Sequence, residues 1–286
     1  MNAANKLVAQ KKKASKGKDA CTAEIAAVTA IKDKIATIDT KLKELQAHLK
    51  KKLWSVGNLV CPTVPVSQDE EHNKVVRTWG EVPDLKIDGT PGHMHHHEIL
   101  AAIDGFDQPR GTKIAGHRGY FLKGPGTMLN MALQNAGLRF LTKRDYNPMY
   151  TPFFMGKKPM SETCQLSDFE DALYKVSGNS KEEEFFLIAT SEQPISAFYR
   201  GEWLNPKDLP QRLAGYSSCF RKEAGAHGKD TWGIFRIHQF EKIEQFVICK
   251  PENSWKLHEE MIKTSREFYE MLELPYRVRR CSDTAV

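Results

Sequence analysis

Between residues 216 and 247 the chain sets arginines, carboxylates, a lysine and aromatic rings at intervals of two. The stretch reads YSSCFRKEAGAHGKDTWGIFRIHQFEKIEQFV. Two arms of strand-like composition flank the small, polar run 224–231, the pattern of an antiparallel hairpin with a long loop. Successive side chains of a strand point to opposite faces. One face of the second arm therefore carries Arg236, His238, Phe240, Lys242 and Glu244. The other carries Phe235, Ile237, Gln239, Ile243 and Val247, a largely apolar set fit for a core. In the first arm Arg221 and Glu223 share a face. At 3.3 Å per residue, the floor from Arg236 to Glu244 runs for about 26 Å. Such a floor suits a long, charged ligand: arginines for phosphates, a ring for a base, a carboxylate for an ammonium group. A solvated face striped with ion pairs is the ordinary reading of a charged strand, and the ordered sequence of groups argues against it.

Other residues with chemical potential are fewer. The apolar run 185–189 reads as a buried strand that delivers Thr190, Ser191 and Glu192 at its end. By itself this is an ordinary helix N-cap. His93, His95, His96 and His97 invite a metal reading, but adjacent histidines on one element rarely converge on an ion. They are expected as surface residues at a helix start, with no metal site and no zinc. The glycines at 119, 124 and 126 lack both the Gly-Lys-Ser/Thr of a phosphate loop and the spacing of a dinucleotide fingerprint. A turn into a helix over 127–142 fits them better. That helix is amphipathic. Residues 175–184 read as a polar loop.

Supporting elements come next. The 286 residues, 40% hydrophobic, can bury one large core or two small ones. Six scattered cysteines without CxxC spacing point to reduced thiols in a cytoplasmic setting. No apolar run reaches the length of a membrane span, and the first residues hold no signal-peptide core. Residues 1–56 carry thirteen lysines against five acids, a net +8 that leaves −2 for the rest. From Ile25 to Val56 apolar residues recur at steps of three and four, without Gly or Pro until Gly57, which predicts a helix of about 50 Å over 24–56. Residues 2–13 are helix-compatible, and 15–19 look like the tip of a helical hairpin that covers part of the long helix. A basic projecting element of this kind suits an anionic partner, nucleic acid first. A plain coiled coil with solvated lysines is the competing reading. Pro62 and Pro65 mark a boundary, giving an arm at 1–56, a linker at 57–70 and a body at 71–286.

Phe-Arg-Lys-Glu, a loop, then Phe-Arg-Ile-His-Gln-Phe-Glu-Lys-Ile-Glu resembles motif 2 of class II aminoacyl-tRNA synthetases, in the form of the eukaryotic cytosolic seryl enzymes. The helix over 127–142 followed by Tyr-Thr-Pro-Phe-Phe resembles motif 1, with Pro152 as its proline. The resemblance runs from about residue 1 to 280. It implies an α+β fold: an antiparallel helical arm and an antiparallel sheet flanked by helices. It also implies ATP with Mg²⁺ as substrate complex, L-serine and tRNA(Ser) as partners, and a homodimer through the motif 1 region. Carried over by residue, Arg221, Glu223 and Arg236 are the catalytic set. Arg221 would hold the α-phosphate and the serine carboxylate, Glu223 the adenine amino group, Arg236 the terminal phosphates, and Phe240 would stack on adenine. Lys222, Ile237, His238 and Gln239 complete the expected ATP site. Thr190, Ser191, Glu192, Arg221 and Glu244 are the expected serine site, with Lys242 adding charge. Lys11, Lys12, Lys13, Lys16 and Lys18, with Lys6, would meet tRNA phosphates.

The resemblance stops near residues 274–278, and nothing in 281–286 looks like the third class II motif. The expectation is a serine–tRNA ligase chain truncated before motif 3, with a central sheet incomplete at its C-terminus. Two other readings stand beside it. One is a different class II synthetase, although a threonyl enzyme needs a zinc cluster and prolyl and histidyl enzymes lack this arm. The other is a non-catalytic paralogue that binds RNA or a partner through the arm.

Overall fold

The computed structural model describes residues 2–15, 21–54, 56–57, 60–67, 69–83, 86–87, 90–91, 94–164, 171–177, 184–223, 228 and 232–282. They fall into two units, Met1–Val75 with Arg279–Val286, and Val76–Val278.

In the first unit, helices α1 (Asn2–Ala14) and α2 (Thr22–Trp54) match the periodicity of the sequence to within two residues. Uninterrupted α2 holds 33 residues. Its N-terminal turns bury Cys21 and Val28, and Lys11 of α1 pairs with Glu24. Farther along, Ile38, Leu42, Leu45, Leu49 and Leu53 remain exposed. Near its start the stripe is buried at Val28, while Ile25 stays 42% exposed, so α1, whose 13 residues reach about 20 Å, covers only a small part of it. Lys16, Lys18 and the expected turn beyond Ser15 lie outside the described residues.

The second unit is built on a three-stranded sheet. Strands β3 (Asn147–Tyr150), β7 (Gln211–Phe220) and β8 (Gln239–Ile248) lie in the order β8-β7-β3. β7 and β8 run antiparallel over ten residue pairs, from Gln211 opposite Ile248 to Phe220 opposite Gln239. β3 joins β7 in parallel, so the sheet is mixed where the sequence led one to expect antiparallel pairing. Helix α5 (Pro125–Thr142) packs on this sheet, and Phe140 meets Phe268 of α8 (Ser254–Met271) edge to face. Phe140, Leu141, Tyr146 and Ala214 form the core there, with Ile243 and Val247 of β8 packed against it, as alternation along the second arm requires. Tyr146 donates to Gln245 Oε1 at 2.9 Å, so the one buried hydroxyl in this core is satisfied.

A second sheet orders β4 (Phe154–Gly156), β6 (Glu184–Leu187) and β5 (Lys175–Ser177), all antiparallel. The beginning of the expected polar loop at 175 is therefore strand: Val176 pairs with Phe185, and Phe186 is fully buried with Ile188, Leu173, Met155, and Met160 of α6 (Lys157–Thr163). Several small elements precede α5. Strands β1 (Phe106–Asp107) and β2 (Phe121–Leu122) pair around α4 (Gln108–Ala115), and α3 (His96–Ala102) comes before them. Pro125 opens α5, consistent with a turn feeding a helix rather than a phosphate loop.

The hairpin differs from its sequence reading in one respect. β7 ends at Phe220 and β8 begins at Gln239, so Arg221, Glu223, Arg236 and His238 lie beyond the regular strands. Left-handed backbone at Glu223 (φ +48°) and Gly233 (φ +61°) breaks the two-residue alternation. Ile237 is buried as expected, whereas Phe235, expected in the core, is 71% exposed.

Phe140 is nearly buried, meets Phe268 at 5.3 Å between centroids and lies 3.6 Å beneath the Arg144 guanidinium. Phe140→Ala is expected to lower the unfolding free energy by about 3 kcal/mol in urea titrations. A loss below about 1 kcal/mol would remove this cluster as the anchor of the sheet.

Candidate functional site

Glu244 lies at the middle of β8, opposite Gly215 of β7. Its carboxylate accepts hydrogen bonds from Thr190 Oγ1 at 2.7 and 2.8 Å and from Ser191 Oγ, and it pairs with Lys242 Nζ at 2.7 Å. Lys242 also donates to Thr190 Oγ1 at 3.0 Å, and the Glu192 N–H donates to the same oxygen at 3.2 Å. The Thr190 hydroxyl thus gives its proton to the carboxylate and receives on both lone pairs. Burial pushes the Glu244 carboxyl up, but the bonds from Lys242, Ser191 and Thr190 outweigh it and hold the group below the usual carboxylate range.

The sequence builds this nest by three devices. The i, i+2 spacing puts Lys242 and Glu244 on one face of β8. The end of the buried strand β6 and Ile188 brings Thr190 and Ser191 over that face, and Ser191 opens helix α7 (Glu192–Ser196). Gly215 makes room for it, since a Cβ there would stand 2.4 Å from Ser191 Oγ and 2.7 Å from Ile195 Cδ1. Sequence reasoning missed Gly215; a glycine in the middle of a ten-residue strand is the signal that could have found it. Glu192 itself is exposed. A pocket of about 300 Å³ is lined by Ser191, Glu192, Ile195, Glu244, Phe246 and Met261, among others.

A second group sits where the two arms leave the sheet. Arg221, Glu223, Ile234, Phe235, Arg236, Ile237 and Phe240 line a cleft of about 380 Å³. The Arg221 guanidinium lies 5.3 Å from the centre of the Phe240 ring, a cation–π arrangement. Arg236 Nη1 pairs with Glu223 Oε2 at 2.9 Å. Backbone bonds continue past the strand ends, from Arg221 N to His238 O at 3.0 Å and from Lys222 N to Ala172 O at 3.0 Å. His238 Nδ1 lies 3.0 Å from Arg221 O and its ring meets Tyr174 edge-on, so His238 ties the arms together. Gln239 is exposed, and its carbonyl accepts from Tyr120 at 3.4 Å. Sequence reasoning also missed Arg118, 5% exposed, whose Nη1 donates to the carbonyl of Glu223 at 2.7 Å. It lies 105 residues away, beyond any local pattern.

Of the sequence-predicted residues, Arg221, Glu223, Arg236, Ile237 and Phe240 share the cleft, and Thr190, Ser191, Lys242 and Glu244 share the nest. Lys6, Lys11, Lys12 and Lys13 are exposed on α1. His95 N-caps α3, and among the described residues no group of three or more His, Cys, Asp or Glu is arranged to hold a metal.

Residues 174–285 match the tRNA synthetase class II core domain (G, H, P, S and T). The cytoplasmic serine–tRNA ligase of Dictyostelium discoideum is 52% identical over 274 residues, 96% of this chain and 58% of that protein. Among solved structures, cytoplasmic serine-tRNA ligase from Naegleria fowleri in complex with AMP superposes with a TM-score of 0.84 at 42% identity, covering 92% of this chain and 56% of that one. Seryl-tRNA synthetase from Pyrococcus horikoshii complexed with ATP gives 0.86 at 32% identity, over 99% and 66% respectively. The chain spans about half the length of the curated relatives it matches.

The Glu244 nest makes a pH prediction. A carboxyl held below its unfolded value contributes stability above about pH 4.3, and that contribution is lost as pH falls through the lower folded value. The stability deficit of Glu244→Gln relative to the parent should therefore shrink between pH 7 and pH 3 in denaturant titrations. A deficit that stays constant or grows on acidification would contradict the assigned network.

Proposed function

Because the chain belongs to the seryl-tRNA synthetase family of class II aminoacyl-tRNA synthetases, we propose that it activates L-serine with ATP and passes the seryl group to tRNA(Ser). The observation that carries this reading is the Glu244 nest beside the Arg221 cleft. A carboxylate and a hydroxyl side by side suit the ammonium and hydroxyl of serine. A neighbouring arginine stacked on a ring suits a nucleotide. The complexes of the Naegleria relative with AMP and the Pyrococcus relative with ATP support the nucleotide half.

In the first step an oxygen of the serine carboxylate attacks the α-phosphorus of ATP. The new O–P bond forms as the bond to the bridging oxygen breaks, and pyrophosphate departs with that electron pair. No protein nucleophile is required, so the protein's part is positioning and charge. Arg221 would bind the α-phosphate and the incoming carboxylate through its planar fork. Glu223 would accept from the adenine amino group and Phe240 would stack on the base. Arg236 would exchange its pairing with Glu223 for the terminal phosphates. Mg²⁺ would enter with ATP, ligated mainly by phosphate oxygens and water. Glu244 and Thr190 would select serine, because an analogue without the hydroxyl leaves buried partners unpaired. In the second step a ribose hydroxyl at the tRNA 3′ end attacks the seryl carbonyl and AMP leaves.

The tRNA would lie along α1, where Lys6, Lys11, Lys12 and Lys13 are exposed. Homodimerisation through the motif 1 region is supported by exposed Met128, Leu129 and Met131 of α5 and by Tyr150, 70% exposed at the end of β3. The scattered cysteines, without CxxC spacing, and the relatives named cytoplasmic support a cytoplasmic location.

Two measurements test this reading. Arg221→Ala or Glu244→Ala should abolish serine-dependent ATP–pyrophosphate exchange; unaltered exchange in either variant sinks the site assignment. Replacing Lys11, Lys12 and Lys13 by glutamine should weaken tRNA binding and flatten the plot of log affinity against log salt by about two units. An unchanged slope would free α1 of that role.

A further inference from the structure

The histidine run that opens α3 has no part in the proposed chemistry, yet its middle ring, His96, reaches across 138 residues to the cleft. The N–H of Ile234 donates to His96 Nε2 at 3.1 Å. The neighbouring Gly233 has a φ of +61°, and a Cβ on it would stand 2.4 Å from His96 Nε2 and 2.7 Å from His97 Cβ. Trp232 meets the rings of His95 and His97, each at 5.6 Å between centroids, and Phe235 meets His96 at 6.2 Å. Residues 232–237 belong to no strand. They nevertheless carry Ile234, Phe235 and Arg236 into the cleft. What fastens this irregular segment is the face of α3, through the Ile234 N–H bond to His96, a backbone bond between Trp232 and the same ring, and a glycine that fits beneath an imidazole.

A backbone N–H can only donate, so His96 Nε2 must present a lone pair. That requires the neutral ring with its proton on Nδ1. Protonation of Nε2 would remove the acceptor and set two donors against each other. We propose that neutral His96 is a positioning residue for the nucleotide site, holding residues 232–237 so that Arg236 faces the terminal phosphates, and that its protonation loosens them. This rests on the reading of the cleft as an ATP site.

The surroundings favour the neutral form. Burial pushes the His96 imidazole down, the charges of His97 and His95 act in the same direction, and a backbone bond to Trp232 opposes them less strongly. The titratable groups facing it are His95 and His97 on its own element. Glu98 is turned back to the N–H of His95 at 2.7 Å. Arg236, the charged side chain of the facing segment, is paired with Glu223. The latch is therefore closed at neutral pH and opens as pH falls below the ordinary histidine value of about 6.5.

Two variants separate the acceptor from the ring. His96→Gln keeps a carbonyl oxygen within reach of the Ile234 N–H and does not titrate; His96→Phe keeps a ring without an acceptor. Amide hydrogen exchange of the ligand-free chain, corrected for intrinsic rates, is measured over 232–237 at pH 8 and pH 5. Wild type should lose protection about tenfold at pH 5, the cost of one hydrogen bond. His96→Gln should hold its protection, and His96→Phe should lack it at both values. KM for ATP in pyrophosphate exchange should follow the same order, about tenfold higher in His96→Phe with kcat within about twofold, and His96→Gln should rescue it. His95→Gln and His97→Gln should keep the wild-type pH response. Protection insensitive to pH, full protection in His96→Phe, or a response that vanishes with His95 or His97 overturns the proposal, as does lost protection without a change in KM. A wild type that lacks exchange altogether overturns the reading of function instead, and the protection measurements then judge the latch alone.

Discussion

A carboxylate taken out of water must be paired, and Glu244 imposes that constraint on the second unit. Its oxygens are met by two hydroxyls and an ammonium group, which outweigh the cost of burial. To supply them, the strand ending at Leu187 must release the chain above the middle of β8. Helix α7 must begin at once, and β7 must give up a side chain at Gly215. Behind the sheet, Phe140, Leu141 and Tyr146 fix β7 and β8 from the other face. One face of a ten-residue strand therefore carries the polar machinery, and the other anchors it.

The cleft depends on a different kind of order. Arg221, Glu223 and Arg236 leave the regular hairpin, so their positions come from tertiary contacts rather than pleating. Arg118 holds the carbonyl of Glu223 in its left-handed conformation, and Arg236 closes on the Glu223 carboxylate. Adjacent nest and cleft suit a reaction that joins an amino acid to a nucleotide, since little beyond orientation and charge separates two bound reactants from a mixed anhydride.

Much of this was legible in the sequence. The hairpin, its apolar back at Ile243 and Val247, helix α5 and the long α2 all follow from period and composition, which act locally. What escaped was fixed at a distance. Alternation placed Arg236 and His238 on a strand, but with left-handed backbone at Glu223 and Gly233 that strand starts only at Gln239, and Phe235 turns to solvent. Lys175–Ser177 looked like loop because it opens the polar run 175–184, and became strand because β6 offered an edge to pair with. The parallel alignment of β3 with β7 is a matter of topology that no local pattern encodes. The covered and uncovered parts of α2 were readable from length alone, since a 13-residue helix cannot span one of 33.

In the proposed reaction the Glu244 nest would read serine beside an adenylate. Titration calorimetry of this chain with a non-hydrolysable sulfamoyl analogue of seryl-adenylate, against the alanyl analogue, tests it most directly. The seryl compound should bind at least about a hundredfold tighter, with the difference removed in Thr190→Val. Equal affinity for the two analogues, or no binding of either, would contradict it.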